Sequence, residues 1–483
     1  MAISRREFIQ QSALLPALLS GCGGGGGGGA DVATNPGSGP QSGGPTGPAT
    51  PTGATGPVTP TGALKKPNVL VICIDDLNDW VGFLGGHPQV KTPNLDALAR
   101  QSTVFRRAYC NAPVCNPSRS SAWSGLSVQD TKVFDNNTDV LTVTPRAVLL
   151  PYYLAENGYE SHLLGKVFHS YEGPTDPVPA TVPASNKTCS GYPTTPTQGL
   201  FDWAALDLDD SAMADYQNVQ SAQEFLARQH NSPFMLTVGM LRTHVGWYVP
   251  KKYFDQYPLD SIQVPNVPAN DLDDLPWSAK ANALQFQFHR CITSQGLWAS
   301  AVQAYLASIS FVDAQIGRLL AALRASPHAD NTMVVLWSDN GFHLGEKFHW
   351  HKLALWEPAT RIPFVIRLPG QTQGNTVDAP VSLIDMMPTM LDYCGVAEPY
   401  AMAGRSLRPV IENPATPWEH PVLTTKDQKN HAIRTSRWRY IRYANGDQEL
   451  YDALADPHEW TNLAKDPAQA QVIAQLDALM PAP

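Results

Sequence analysis

The chain has 483 residues, 43% of them hydrophobic and 16% charged, so it can bury one large core and leave room for a second, smaller unit. A formal net charge of −9 excludes the broad basic face that nucleic acid needs as a partner. Any anion the protein handles must be met by a local cluster of cations.

The first 22 residues read as an address. Ser4-Arg5-Arg6-Glu7-Phe8-Ile9 resembles a twin-arginine export signal, and the apolar run from Ala13 to Leu19 is too short to span a bilayer. It ends in Leu19-Ser20-Gly21-Cys22, which resembles a lipobox with Cys22 as the lipidated residue. These features imply the twin-arginine export machinery as a partner and contact with a membrane only through a lipid anchor. They place the chain as a periplasmic or cell-surface lipoprotein. Residues 23–64 are dominated by Gly, Pro and Thr without apolar periodicity and read as a flexible tether. A large unit over 65–400 and a smaller C-terminal one over 401–483 follow.

Order begins with the continuous apolar run from Asn68 to Ile74, the pattern of a central parallel strand buried on both faces. It ends in Asp75-Asp76, at the carboxyl end where open α/β sheets bind ligands. Thr92-Pro93 reads as the N-cap and first residue of a helix to about Ser102. In Val114-Cys115-Asn116-Pro117-Ser118-Arg119, Pro117 fits the first turn of a helix, with Cys115 at its mouth and Arg119 one turn on. A thiol there feels a helix N-terminus and a cation, and both favour a negative atom. Thr144-Pro145 opens a helical stretch to about Asn157, and a short strand then delivers Gly165-Lys166-Val167-Phe168-His169. A helix from Ala212 to Arg228 leads to the strand Phe234 to Met240 and to Arg242-Thr243-His244. Residues 249–295 are rich in Pro and Asp and read as irregular loops. A helix from about Ala299 to Arg324 precedes a second apolar strand, Met333 to Ser338, which also ends in acid, Asp339-Asn340. This alternation argues for a mostly parallel sheet covered on both faces. His431 to Tyr443, with turn residues at Asn445-Gly446, reads as a small antiparallel sheet.

Asp75, Asp76, Asp339 and Asn340 are hard oxygen ligands, which suit Ca²⁺ or Mg²⁺ better than Zn²⁺. A zinc site at His343, His349 and His351 is the rival, since His349 and His351 would share one face of a strand. Setting aside Cys22 and Cys115, five cysteines remain, enough for at most two bridges, and Cys73 falls inside an apolar strand as a core residue.

Cys115-Asn116-Pro117-Ser118-Arg119 resembles the Cys-x-Pro-Ser-Arg signature of type I sulfatases. Ile74-Asp75-Asp76-Leu77, Thr92-Pro93-Asn94-Leu95-Asp96, Gly165-Lys166-Val167-Phe168-His169, Ser338-Asp339-Asn340-Gly341 and Glu449-Leu450-Tyr451-Asp452 resemble other stretches of that family. The likeness runs from about Pro67 to Asn462 and is nearest the iduronate-2-sulfatase-like group. Where many sulfatases read Leu-Thr-Gly-Arg, this chain has Trp123-Ser124-Gly125-Leu126. The resemblance implies an α/β protein with an alkaline-phosphatase-like αβα sandwich, plus a smaller C-terminal α+β subdomain with an antiparallel sheet. It implies oxidation of Cys115 to Cα-formylglycine by a formylglycine-generating enzyme, and one Ca²⁺ held by Asp75, Asp76, Asp339, Asn340 and residue 115. By the same resemblance Arg119 and Lys166 hold the nucleophile and Asp339 assists its deprotonation. His244 and Lys352 contact sulfate and protonate the leaving oxygen, and His169 triggers sulfate release. The implied substrate is a sulfated sugar, such as a 2-O-sulfated uronic acid. A phosphate or phosphonate monoester hydrolase on the same scaffold, and a lipoprotein that binds sulfated glycans without cleaving them, are the alternatives.

Overall fold

The computed structural model describes residues 66–170, 173–177, 201–285 and 288–481. The leader, Cys22 and the tether lie outside the described residues. Strand β1 (Asn68–Ile74) is buried along its whole length, as an uninterrupted apolar run requires. It is central to a sheet with β2 (Thr103–Phe105), β3 (Glu160–Gly165), β4 (Phe234–Met240), β5 (Thr332–Ser338), β6 (Phe364–Arg367) and β7 (Asn375–Val377). The order is β7-β2-β6-β5-β1-β4-β3. β1 pairs in parallel with β5 and β4, while β6 runs antiparallel to both of its neighbours.

Alternation along β1 builds two cores. Leu70, Ile72 and Ile74 face α1 (Pro93–Ala99), α4 (Ala214–Leu226) and α5 (Trp298–Ala325), and Val69, Val71 and Cys73 face α2 (Cys115–Ser124), α3 (Leu150–Glu156) and α6 (Met386–Cys394). Helices on both faces of a mostly parallel sheet make the αβα sandwich. The 28-residue α5 is apolar enough to cross a membrane, but it is a core helix here, its apolar stretch 72% buried. Strands β8 (Val422–Lys426), β9 (Asn430–Arg434), β10 (Trp438–Arg442) and β11 (Gln448–Asp452) form the C-terminal antiparallel sheet in that order. It shares a core with Ala354 and Trp356 through Ala432, Ile441 and Tyr451.

Several local expectations change. The stretch after Pro145 breaks into a single 3₁₀ turn, Arg146–Val148, and α3 starts only at Leu150, with Pro151 in its first turn. Residues 249–295 contain the helices Trp277–Leu284 and Phe288–Ser294. Thr92 precedes α1 but does not cap it. Its hydroxyl accepts from the Gly82 amide at 2.8 Å, and Asp313 on α5 takes the Asn94 and Leu95 amides instead. Cys73, Cys110 and Cys394 are free and buried, and Cys291 is disulfide-bonded, which leaves room for one bridge among those five cysteines, within the expected limit of two.

Candidate active site

Because Ile74 lies opposite Ser338, β1 and β5 release Asp75-Asp76 and Asp339-Asn340 side by side, although 263 residues separate Asp76 from Asp339. Asp76 leaves the strand at φ +62, a left-handed conformation that a non-glycine residue adopts only when its surroundings enforce it. Its amide donates to Asp339 Oδ1 at 3.0 Å and its carbonyl accepts from Tyr305 on α5 at 2.8 Å. The Asp75 carbonyl accepts from the amide and the hydroxyl of Thr243 at 3.0 and 3.1 Å. Helix α2 begins at Cys115 with Pro117 in its first turn, and all ten of its residues are buried.

Side chains from six segments converge. Cys115 Sγ lies 3.3 Å from Asp75 Oδ1 and 3.7 Å from Asp76 Oδ1. Lys352 Nζ lies 2.6 Å from the same sulfur and 2.5 Å from Asp76 Oδ1. Lys166 pairs with Asp75 Oδ2. Arg119 spreads its fork over the cluster: Nε donates to Asp339 Oδ2 at 2.7 Å, Nη1 donates to the carbonyls of Lys166 and Val167, and Nη2 lies 3.7 Å from Asp75 Oδ1. Asn340 Nδ2 donates to Asp76 Oδ1 at 2.8 Å. His244 Nε2 stands 3.8 Å from Asp76 Oδ2. His169 feels the charges of Lys166, Asp75, Lys352 and Arg119.

Charge and burial compete at each group. Burial pushes Asp75 up, but Lys166, His244, Arg119 and Lys352 outweigh it and hold the carboxyl well below the usual range. Asp339 goes the other way, to about 6, because burial and the charges of Asp75 and Asp76 overcome Arg119. Burial works against the Lys352 ammonium, yet Asp76 and its other anionic neighbours raise it well above its ordinary value. Burial lowers His244 and His169 to about 4 each. The Cys115 thiol is also raised, by burial first and by Asp75 next, with Lys352 opposing. The expectation of a favoured thiolate is therefore corrected: helix position and cations count for less than a dry site that already holds three carboxylates.

The donor set fits a divalent cation. Asp75, Asp76, Cys115 and Asp339 each offer one ligand atom, and these atoms lie within 4.8 Å of one another. Asp76 Oδ2 and Asn340 Oδ1 are buried with no hydrogen-bond partner among the described residues. Buried acceptors without a donor are costly, and hard oxygens are the ligands calcium and magnesium take. The rival zinc site does not form among the described residues. Both ring nitrogens of His349 lie against backbone carbonyls, those of Ala283 and Lys352, and the three histidines make no metal-ligating group. Tyr305 and Thr243, which hold the carbonyls of Asp76 and Asp75, escaped the sequence reading: one lies on the buried face of a core helix and the other in a loop.

Three carboxylates and a ring of cations at the carboxyl ends of parallel strands, inside an αβα sandwich, define a hydrolase of the alkaline-phosphatase-like fold, built for a tetrahedral oxyanion ester. The chain matches the sulfatase family over residues 67–396 and the N-sulphoglucosamine sulphohydrolase C-terminal family over residues 345–482. It belongs to the sulfatase family and is a sulfuric ester hydrolase. It is 37% identical over 440 residues to a sulfatase of Formosa agariphila, covering 86% of this chain and 87% of that one. To the iduronate 2-sulfatase of Homo sapiens it is 31% identical over 340 residues, covering 63% of this chain and 60% of that one. Among solved structures, a 2-O GAG sulfatase shares the fold with a TM-score of 0.68 at 23% identity, covering 86% of this chain and 91% of that one.

Proposed function

We propose that the protein removes sulfate from a sulfated sugar, with a 2-O-sulfated uronic acid as the favoured type, using Cα-formylglycine made from Cys115 and one bound Ca²⁺. The substrate assignment is supported by likeness to an enzyme named for iduronate 2-sulfate. Asp75, Asp76, Asp339, Asn340 and residue 115 would hold the calcium. When bound, calcium supplies positive charge to the sulfate oxygens, and formylglycine in its hydrated form supplies the nucleophilic oxygen. The chain's own groups do the rest. Arg119 and Lys166, both buried, bring fixed positive charge to where a developing anion is stabilised most. Asp339, whose carboxylate lies within 4.8 Å of the side chain at residue 115, takes up a proton at its carboxylate. As the bond from sulfur to the leaving oxygen breaks, that oxygen receives a proton from His244 or Lys352. His169, neutral above about pH 4, accepts the proton whose loss releases sulfate.

One observation carries this reading: four potential ligand atoms within 4.8 Å of one another, with Lys352 Nζ 2.6 Å from the sulfur of residue 115. The export signal and lipobox support an exported, lipid-anchored protein. Residues 65–400 are assigned to catalysis and residues 401–483 to a C-terminal subdomain. The decisive experiment is the mass of the peptide carrying residue 115, taken from protein purified out of its natural host. Formylglycine there, lighter than cysteine through exchange of sulfur and two hydrogens for oxygen, supports the mechanism. An unmodified thiol throughout refutes the formylglycine mechanism. Faster turnover of a phosphate than of the matching sulfate ester would favour the phosphohydrolase reading.

A further inference from the structure

The turn that carries His244 is built around one guanidinium. Arg242 is 7% exposed, and its Nη1 donates to the carbonyl of His244 at 2.6 Å and to the carbonyl of Gly246. These two carbonyls flank Val245, whose own carbonyl accepts from His244 Nδ1 at 2.5 Å. One donor thus fixes the turn, the turn aims the Val245 carbonyl, and that carbonyl aims the imidazole. Nδ1 is committed whether the ring is neutral or charged, so Nε2, 3.8 Å from Asp76 Oδ2, is the nitrogen that faces the site.

The guanidinium is anchored in turn. Asp176 Oδ2 accepts from Arg242 Nε at 2.7 Å and lies 2.6 Å from Nη2; the paired contacts fix the plane of the fork. Asp176 Oδ1 takes the Ala214 amide at the start of α4 at 2.9 Å. Asp215, on the same helix, accepts the Leu241 and Arg242 amides at 2.7 and 3.0 Å, fixing the backbone as it enters the turn. Lysine could not replace the arginine, because a single ammonium cannot span two carbonyls on one side and the Asp176 carboxylate on the other.

We infer that Arg242, anchored by Asp176, is a positioning residue for His244 that holds its imidazole with Nε2 directed at the leaving oxygen. The inference rests on the reading of His244 as a donor to that oxygen. With the Nδ1 proton held by the Val245 carbonyl, only the imidazolium carries a proton on Nε2, a form the negative charge of a bound sulfate ester favours. As the bond from sulfur to oxygen breaks, that proton moves to the departing oxygen and leaves a neutral ring.

The test compares full-length, calcium-loaded protein and its R242Q, D176N and H244A variants on 4-nitrophenyl sulfate and phenyl sulfate. The two esters share a sulfate group and nearly a shape. Phenolate, with a proton affinity like that of tyrosine (pKa about 10), needs a donor far more than nitrophenolate does. H244A is expected to lose about 100-fold in kcat/KM on phenyl sulfate, within the range of a lost general acid, and about tenfold less on the nitrophenyl ester. R242Q is expected to show the same skew, with a loss at least about tenfold greater on phenyl sulfate, and D176N a smaller one. A variant that merely loosened the fold would lose equally on both esters. If H244A is skewed and R242Q falls equally on both, or stays within threefold on both, the positioning role is overturned and the role of His244 stands. If H244A itself shows no skew, both fall. Should R242Q fail to fold, D176N decides by the same ratio.

Discussion

Replacing Arg119 by lysine asks how much of the site depends on guanidinium geometry rather than on charge. Arg119 is fully buried. It donates through Nε to Asp339 at 2.7 Å and through Nη1 to the Lys166 and Val167 carbonyls, and Nη2 lies 3.5 Å from the Ile74 carbonyl. A lysine can serve only one side. If it keeps Asp339, the Lys166 carbonyl loses its main donor, while Val167 retains the Trp123 indole at 3.0 Å; a buried acceptor left bare costs about 1–3 kcal/mol. If it keeps the carbonyls, Asp339 is left unpaired at a cost of about 3–5 kcal/mol, moderated because its carboxyl already sits at about 6 and can protonate. R119K should therefore be destabilised by about 3 kcal/mol, a fall in Tm of about 3 °C for a chain this long. Activity should drop about 100- to 1,000-fold, the cost typical of a misplaced oxyanion-stabilising donor. The assay pairs calorimetric melting with kcat/KM on an aryl sulfate. A variant that melts like the parent and keeps activity within threefold would refute the reasoning.

Calcium at about 100 times its dissociation constant should stabilise the fold by about 2.7 kcal/mol, read as a rise in Tm that a chelator abolishes; no difference between the two conditions would remove the metal from the site. Tyr305→Phe deletes a hydroxyl that donates to the Asp76 carbonyl and accepts from the Asn78 amide at 3.0 Å. It should cost about 1–3 kcal/mol in denaturant unfolding and weaken calcium binding, since it frees the strand exit. Asp385 accepts the Arg405 and Ser382 amides, each at 2.9 Å, yet burial raises it to about 6. The folded state therefore binds more protons than the unfolded one between about pH 4 and 6, so the contribution of Asp385 to stability is full below pH 4 and lost as pH rises through 6. Asp385→Asn cannot titrate, so its stability deficit should shrink by roughly 2–3 kcal/mol from pH 4 to pH 7; a deficit independent of pH would contradict this.

The parts legible in the sequence are those where one physical rule acts alone. β1 and β5 are uninterrupted apolar runs because both faces are covered, and their carboxyl ends carry the acids by the same logic. Elsewhere two rules competed. The Pro- and Asp-rich flanks of 249–295 hid the helix Trp277–Leu284, which starts directly after Pro276. Thr92 has the residue type of an N-cap, but Asp313, more than 200 residues away in sequence, took the amides. At Cys115 the local signals, a helix start and Arg119, point to a thiolate. The carboxylates that reverse this arrive from β1 and β5, and no local pattern reports their approach. Arg119 was placed correctly one turn on, yet its fork was claimed by Asp339 and two carbonyls.

The pairing of Cys115 with Lys352 also sets a clock. The two are 237 residues apart in the chain, and translation at about 5–20 residues per second takes about 10 to 50 s to cover that stretch. During that interval residue 115 is already made while the loop that seals it does not yet exist. Any enzyme that modifies a side chain with no exposure in the finished fold has its best access then. Slowing synthesis beyond residue 115 lengthens the opportunity, and fast folding of the completed chain ends it.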